Sequence, residues 1–212
     1  MTVTGNALQA EIHAVTGSSG GGKTTHARKL VMKKKHRRTI IWSPKEGVDN
    51  YASWYPGSVI CTTAAEVLDI VKGAGKRGSF HIVFKPTLKR AVDEKQFNVV
   101  CLIALHNGGK LLFLVDELHT VTKPTGAVDG WSKLVMMGRG LGIEIWGLSQ
   151  RPASMDKDFM GNASTLHTRR LSYPEDAKAL ARSLGIKQAE VSALHGFMWI
   201  ERNNLTGEVT RG

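Results

Sequence analysis

The hydrophobic positions of this chain follow two alternating patterns. Short runs of apolar and β-branched residues are separated by longer stretches in which apolar residues recur every three or four positions. The runs predict strands and the stretches predict helices, so their alternation predicts strand-helix-strand units in a largely parallel sheet. Residues 11–17 predict a strand, followed by a glycine-rich turn and a helix reaching to about Lys35. Further strands are predicted at 39–43, 80–84, 111–115 and 143–148. The third of these, Leu111 to Val115, is apolar at every position, as in a central parallel strand buried on both faces. Residues 44–56 are aromatic and turn-rich, and 63–73 have helical spacing. Phe97, Val100, Cys101 and Ala104 share one face of another helix that stops at Gly108-Gly109. Ser172-Tyr173-Pro174-Glu175 has the spacing of a capping box with proline early in the helix, and Ala177, Leu180, Ala181 and Leu184 form the stripe behind it, up to Gly185. A closing hairpin is predicted from 197–202 and 207–210 around Asn203-Asn204. No repeat, low-complexity tract or linker breaks the series. The expected fold class is therefore α/β, one domain over residues 1–212 with a small C-terminal hairpin.

Composition narrows the classes. With 212 residues, 42% of them hydrophobic and 22% charged, the chain can bury a sizeable core and is neither disordered nor fibrous. Cys61 and Cys101 form no CxxC pair, which argues against a disulfide framework and a cysteine-rich zinc site. None of the eight histidines shows metal-ligand spacing, and His119 reads as a polar loop residue. The opening Met1 to Asn6 lacks a basic-then-apolar leader pattern, and no apolar run is long enough to span a bilayer. A soluble protein of a reducing cytoplasm is expected, not a secreted one. Lys plus Arg outnumber Asp plus Glu by 29 to 18, a net charge of +11. The excess concentrates between His26 and Arg38, where Arg28, Lys29, Lys33, Lys34, Lys35, Arg37 and Arg38 meet no acid. A polyanion is a natural partner for such a chain, although a solvated helix end accounts for the same block.

Chemistry enters at the glycine-rich turn. Gly17-Ser18-Ser19-Gly20-Gly21-Gly22-Lys23-Thr24 matches G-x-x-x-x-G-K-[ST] in full, with a strand before it and a helix after. Such a loop turns backbone N–H groups toward phosphate oxygens, Lys23 reaches the β- and γ-phosphates, and Thr24 ligates Mg²⁺, with Thr25 adjoining. Asp116-Glu117 ends the apolar strand Leu111 to Val115, as a Walker B element does. The first carboxylate would hold Mg²⁺, and the second would orient and deprotonate water. An acidic pair argues for hydrolysis, because a transferase excludes water instead of activating it. Gln150 closes the next predicted strand and would sit at the edge where open α/β sheets bind ligands, within reach of the γ-phosphate or the attacking water.

In this order the pieces resemble the FtsK–HerA superfamily of ring-forming DNA-pumping ATPases. The likeness is densest from Asp116-Glu117 through Met137-Gly138-Arg139-Gly140-Leu141-Gly142-Ile143 to Leu148-Ser149-Gln150-Arg151-Pro152. It continues into Asn162 and Arg169-Arg170-Leu171. The short single-domain form looks most like the genome-packaging ATPases of tailless, membrane-containing icosahedral viruses of the tectivirus type. FtsK adds membrane and DNA-reading domains and HerA a β-barrel, for which this chain has no room. Gly20-Gly21-Gly22 departs from the usual G-S/T-G-K ending, and residues 45–90 match little of the pattern. The resemblance implies a RecA-like P-loop core, ATP and Mg²⁺ as cofactors, and a homo-hexameric ring with ATP sites between subunits. It also implies double-stranded DNA through the centre and capsid or portal-vertex proteins as partners, placing the protein in the host cytoplasm or at the packaging vertex of the virion. Residues 119–130, with Lys123-Pro124, would project toward the channel. Arg139 would reach the γ-phosphate of a neighbouring subunit as a trans finger, with Arg169 and Arg170 as alternatives.

Other readings use some of the same residues. A P-loop nucleoside kinase also carries an Asp-Glu pair after an apolar strand, but kinases of the thymidine type add zinc-binding cysteine pairs that this sequence lacks. A filamentous-phage assembly ATPase of the zonular-occludens-toxin type shares the loop and a strand ending in Gln, usually with a membrane segment. A DNA-binding structural subunit could use the loop only to hold nucleotide, a role for which the Asp116-Glu117 pair would be superfluous.

Overall fold

The computed structural model describes residues 10–212, so the opening segment read above for a leader pattern lies outside the described residues. The elements follow as β1 (Ile12–Thr16), α1 (Lys23–Lys33), β2 (Arg38–Trp42), β3 (Val59–Cys61), α2 (Ala64–Ala74), β4 (Phe80–Phe84), α3 (Arg90–Asn107), β5 (Leu111–Val115), α4 (Asp129–Met137), β6 (Ile143–Ser149), α5 (Lys157–Asn162), β7 (Thr165–Arg169), α6 (Pro174–Leu184), α7 (Gln188–Ser192), β8 (Trp199–Asn203) and β9 (Val209–Arg211). The strands form one nine-stranded sheet in the order β3-β4-β2-β5-β6-β1-β7-β8-β9. From β3 through β7 the neighbours are parallel, and the β8–β9 hairpin adds antiparallel to β7.

Side chains alternate across the strands, and the core divides accordingly. Leu111, Phe113 and Val115 of β5 pack with Ile40, Trp42, Ile143 and Ile145 under α2 to α6. Leu112 and Leu114 face the other way, with Ile41, Trp146 and Leu148, under α1 and the 3-10 turn Tyr51–Trp54. Trp131 of α4 lies on Phe97 and Phe159, ring centroids 5.5 and 5.3 Å away, and donates its indole N–H to Asp156 at 2.9 Å. β6 carries Gly147 where Phe159 and Leu118 press closest; a Cβ there would stand 2.5 Å from the Phe159 ring.

Several elements were not visible in the pattern. β3 is a short edge strand with Val59 and Ile60 half exposed, and β7 is buried through polar residues, His167 and Thr168. The helices α4, α5 and α7 are short. Two local expectations are corrected. Pro174 takes the first helical position of α6, so Tyr173 is its N-cap and makes no side-chain cap, leaving Ser172 one residue too early for a capping box. A capping box does operate at α2, where Thr63 Oγ1 accepts from Glu66 N and the Glu66 carboxylate accepts from Thr63 N at 3.1 Å. The hairpin turn is wider than Asn203-Asn204: Gly207 N donates to Asn203 O and Asn203 N to Glu208 O, so residues 204–208 form the loop.

Candidate active site

The parallel strands all end on one edge, and the residues singled out above gather there. Strand order places β6 between β1, which feeds the glycine-rich loop, and β5, which feeds the carboxylates. Gln150, just past β6, therefore stands between them.

The loop needs its glycines: Gly20 and Gly22 have φ of +69° and +87°, where a side chain is strained. Gly17 N donates to Ser149 O, Ser18 N to Arg170 O, and Gly21 N to Ser18 O, which fixes the loop's path. Gly22 caps α1 without a side-chain acceptor, and the first turn of α1 holds no acid, so no acid of the helix itself competes for its N-terminus. Lys23 is buried with Nζ 3.1 Å from Ser18 O; burial lowers its pKa, opposed by the charges of Glu117 and Asp116. Lys23, Thr24, Thr25, Ser19, Gly20 and Gly22 line a cavity of about 250 Å³ whose opposite wall holds Asp116 and Glu117.

Asp116 is 2% exposed. Its Oδ1 accepts from Glu117 N at 2.9 Å, while Oδ2 is buried without a partner. Burial, with the neighbouring charges of Glu117 and Asp49, pushes its pKa up to about 7. An oxygen so placed fits a divalent cation, with the Thr24 hydroxyl in the same cavity. Glu117 adopts φ +48°, a left-handed conformation unusual for a side-chain-bearing residue, and strain of this kind clusters at functional sites. Its Oε1 accepts from both Lys45 Nζ and Gln150 Nε2, and Oε2 is buried without a hydrogen bond, with His119 Nδ1 3.6 Å away. Burial alone would raise the Glu117 pKa, but the Lys45 and Gln150 bonds outweigh it and hold the group below the usual range. It is thus ionised, with one oxygen anchored and the other free to take a proton.

The sequence reading missed Lys45, Asp49, Tyr51 and Phe197, all close to this cavity. Lys45 follows β2 at the same sheet edge, and the strand-end rule that found Gln150 applies equally to it. Tyr51 is buried near Asp116 and Thr24, and burial with the Asp116 charge raises its pKa well above the ordinary value. His119, in the 3-10 turn Leu118–Thr120 after β5, shares a hydrogen bond with Ser149 Oγ at 2.9 Å beside Glu117. Arg169 Nη1 donates to Phe197 O at 2.8 Å, and its guanidinium lies against Gly22 of its own loop, which makes Arg169 a cis neighbour of the phosphate site. Arg139 is exposed in the 3-10 turn Gly138–Leu141, ahead of β6 at the edge where strands begin, across the sheet from its own loop. Of residues 119–130, Val121, Thr122 and Gly130 are buried, and Lys123, Thr125, Gly126 and Asp129 are exposed.

Folding also gathers His26, His167 and Glu201 beside α1. The two imidazoles stack at 3.6 Å between centroids and 14° between planes, so their lone pairs run side by side instead of converging as tetrahedral ligation requires. The cluster is packed polar core, and burial lowers His26 to about 3.

No family model matches the chain. It is 24% identical over 187 residues to Protein P9 of Pseudoalteromonas phage PM2, covering 86% of this chain and 78% of that protein. The genome packaging NTPase B204 from Sulfolobus turreted icosahedral virus 2, solved in complex with AMPPCP, superposes with TM-score 0.70 at 12% identity over 96% of this chain and 97% of that one. VirB4 of Thermoanaerobacter pseudethanolicus does so with TM-score 0.67 at 12% identity, over 94% and 88%. The fold is a RecA-like P-loop NTPase core, and the likeness to viral packaging NTPases expected from the motifs holds among its structural neighbours. No described helix is long and apolar enough to cross a membrane.

Proposed function

We propose that this chain hydrolyses ATP to move double-stranded DNA, filling a viral capsid as part of a homo-hexameric ring at the packaging vertex. One observation carries the hydrolytic part: an ionised Glu117, held on one oxygen by Lys45 and Gln150, faces Lys23 across the loop cavity with its second oxygen unpartnered. The structural likeness to packaging NTPases supports the rest.

The loop N–H groups and the N-terminus of α1 receive the phosphates, and Lys23 meets the charge on their terminal oxygens. Glu117 Oε2 orients a water and takes its proton, while Lys45 and Gln150 keep the carboxylate in one rotamer. Gln150, bonded to that carboxylate from the end of the strand between β1 and β5, would couple the presence of the terminal phosphate to the position of the base. Thr24 and Asp116 would hold Mg²⁺, which when bound would supply charge neutralisation to the phosphates. Arg139, remote from its own loop, has a role only toward the loop of a neighbouring subunit. A guanidinium delivered there would spread over the equatorial oxygens of the transferring group.

Glu117→Gln tests the reading. It keeps the fold and ATP binding but lowers turnover by about 10²–10⁴, whereas Lys23→Ala loses ATP binding. Turnover near that of the wild type in Glu117→Gln would remove Glu117 as the base.

A further inference from the structure

The opposite edge of the sheet carries a second concentration of chemistry. Arg38 of β2 is in register with Phe80 of β4 and Leu111 of β5, so the turns that precede these neighbouring strands converge. They bring Lys35, Arg37, Lys76, Arg77 and Lys110 to one cleft of about 490 Å³. All are exposed, and none makes an ion pair or side-chain hydrogen bond among the described residues. The acid that lines the cleft, Glu144, is already committed: it accepts from Lys34 Nζ at 2.9 Å and from Trp146 Nε1 at 2.7 Å. Arg38 is committed too, donating to the carbonyls of Asn107 and Gly108. What remains is uncompensated positive charge in a concave site.

A second observation is conformational. Lys35 and Lys110 sit at φ +48° and +57°, where glycine or asparagine would be at ease and lysine is strained. Both strained lysines face the same cleft, so the strain accompanies the charge. The β-strands, about 16 Å long at roughly 3.3 Å per residue, separate this cleft from the nucleotide site.

We infer that the cleft docks the phosphodiester backbone of a nucleic acid. The cleft offers five exposed Lys and Arg cations, and its one aromatic ring, His36, is mostly buried, so phosphate charge rather than base stacking is what it can hold. The inference rests on the DNA-motor reading and deepens it by placing a grip on the edge remote from ATP. It also divides the basic block of the sequence: Lys35 and Arg37 serve the cleft, whereas Lys34 is neutralised by Glu11 and Glu144.

The test is the salt dependence of binding to a random-sequence DNA duplex, measured by fluorescence anisotropy on the full chain. Replacing Lys35, Arg37, Lys76, Arg77 and Lys110 together by Gln should reduce the slope of log K against log salt by about 4, given roughly 0.9 per phosphate contact. ATP hydrolysis without DNA should stay at the wild-type rate. A milder variant, Lys35→Gly with Lys110→Gly, removes two charges and relieves the left-handed strain, so it should keep the wild-type melting temperature while the slope falls by about 2. An unchanged slope in a folded variant overturns the docking site, including the case in which the cleft serves an acidic protein. A wild-type chain that neither binds duplex nor hydrolyses ATP instead overturns the motor reading itself.

Discussion

Replacing Asp116 by Asn should make the nucleotide-free protein more stable at pH 8 and change little at pH 4. The carboxyl is 2% exposed, has an unpartnered Oδ2, and titrates at about 7 in the folded chain against an ordinary 3.8. Between those values the folded chain holds a proton that the unfolded chain has released, so stability falls as pH rises through the window. Above about pH 7 both states are ionised and the full burial cost stands. A shift of about 3 units corresponds to about 4 kcal/mol, the ceiling on what Asp116→Asn can recover at pH 8. By pH 4 the same difference shrinks below about 1 kcal/mol. Part of that ceiling is relief of the Asp116–Glu117 repulsion, which itself contributes to the raised pKa. Urea unfolding of both proteins at the two pH values, with EDTA and no nucleotide, reads the gap directly, because the other titrating groups are common to both. The physical sense is that the site stores an unpaired carboxylate for a cation, at the expense of the apo fold. Asp116→Asn should accordingly lose ATP hydrolysis as it gains stability. A gap equal at both pH values, or a variant less stable at pH 8, would refute the assignment of Asp116 as a buried, raised carboxyl.

Gly147→Ala should destabilise by about 1–3 kcal/mol in chemical denaturation, because its Cβ would meet Phe159 at 2.5 Å and Leu118 at 2.8 Å in a packed core; an unchanged midpoint would show that α5 yields freely. If Arg139 acts on a neighbour's site, inactive Arg139→Ala and inactive Lys23→Ala proteins should regain activity when mixed into rings, since some interfaces then pair an intact loop with an intact finger. Full activity of Arg139→Ala alone, or no recovery in properly formed mixed rings, would end that role.

The centre of the fold was legible because its signals are local. Leu111–Val115 is apolar at every position and is a strand with the same bounds; Phe80–Phe84, apolar but for His81, also keeps its bounds. The loop from Gly17 to Thr24 is a contiguous motif, and Gln150 is found by its place at a strand end. The rest depends on partners distant in sequence. β7 hides because two of its buried side chains, His167 and Thr168, are polar; His167 Nδ1 pairs with Glu201 of β8, and Thr168 Oγ1 donates to Arg169 O. Lys45 gave no motif, since its role appears only when β2 is set beside β5 and its ammonium meets Glu117. The basic block illustrates the converse: one run of like residues in the chain becomes, in the structure, a neutralised Lys34 and a free Lys35. Cys61 and Cys101 are free and buried, in keeping with the absence of a cysteine framework.

Whether the ATP site on one sheet edge drives movement of DNA is read by the rate of phosphate release from ATP by the wild-type chain, with and without long duplex DNA, at matched ionic strength. Duplex DNA should stimulate hydrolysis, and Glu117→Gln should lower it by about 10²–10⁴ in both conditions. Hydrolysis indifferent to DNA, or phosphate transfer to a nucleoside in place of release to water, would contradict the DNA-motor reading.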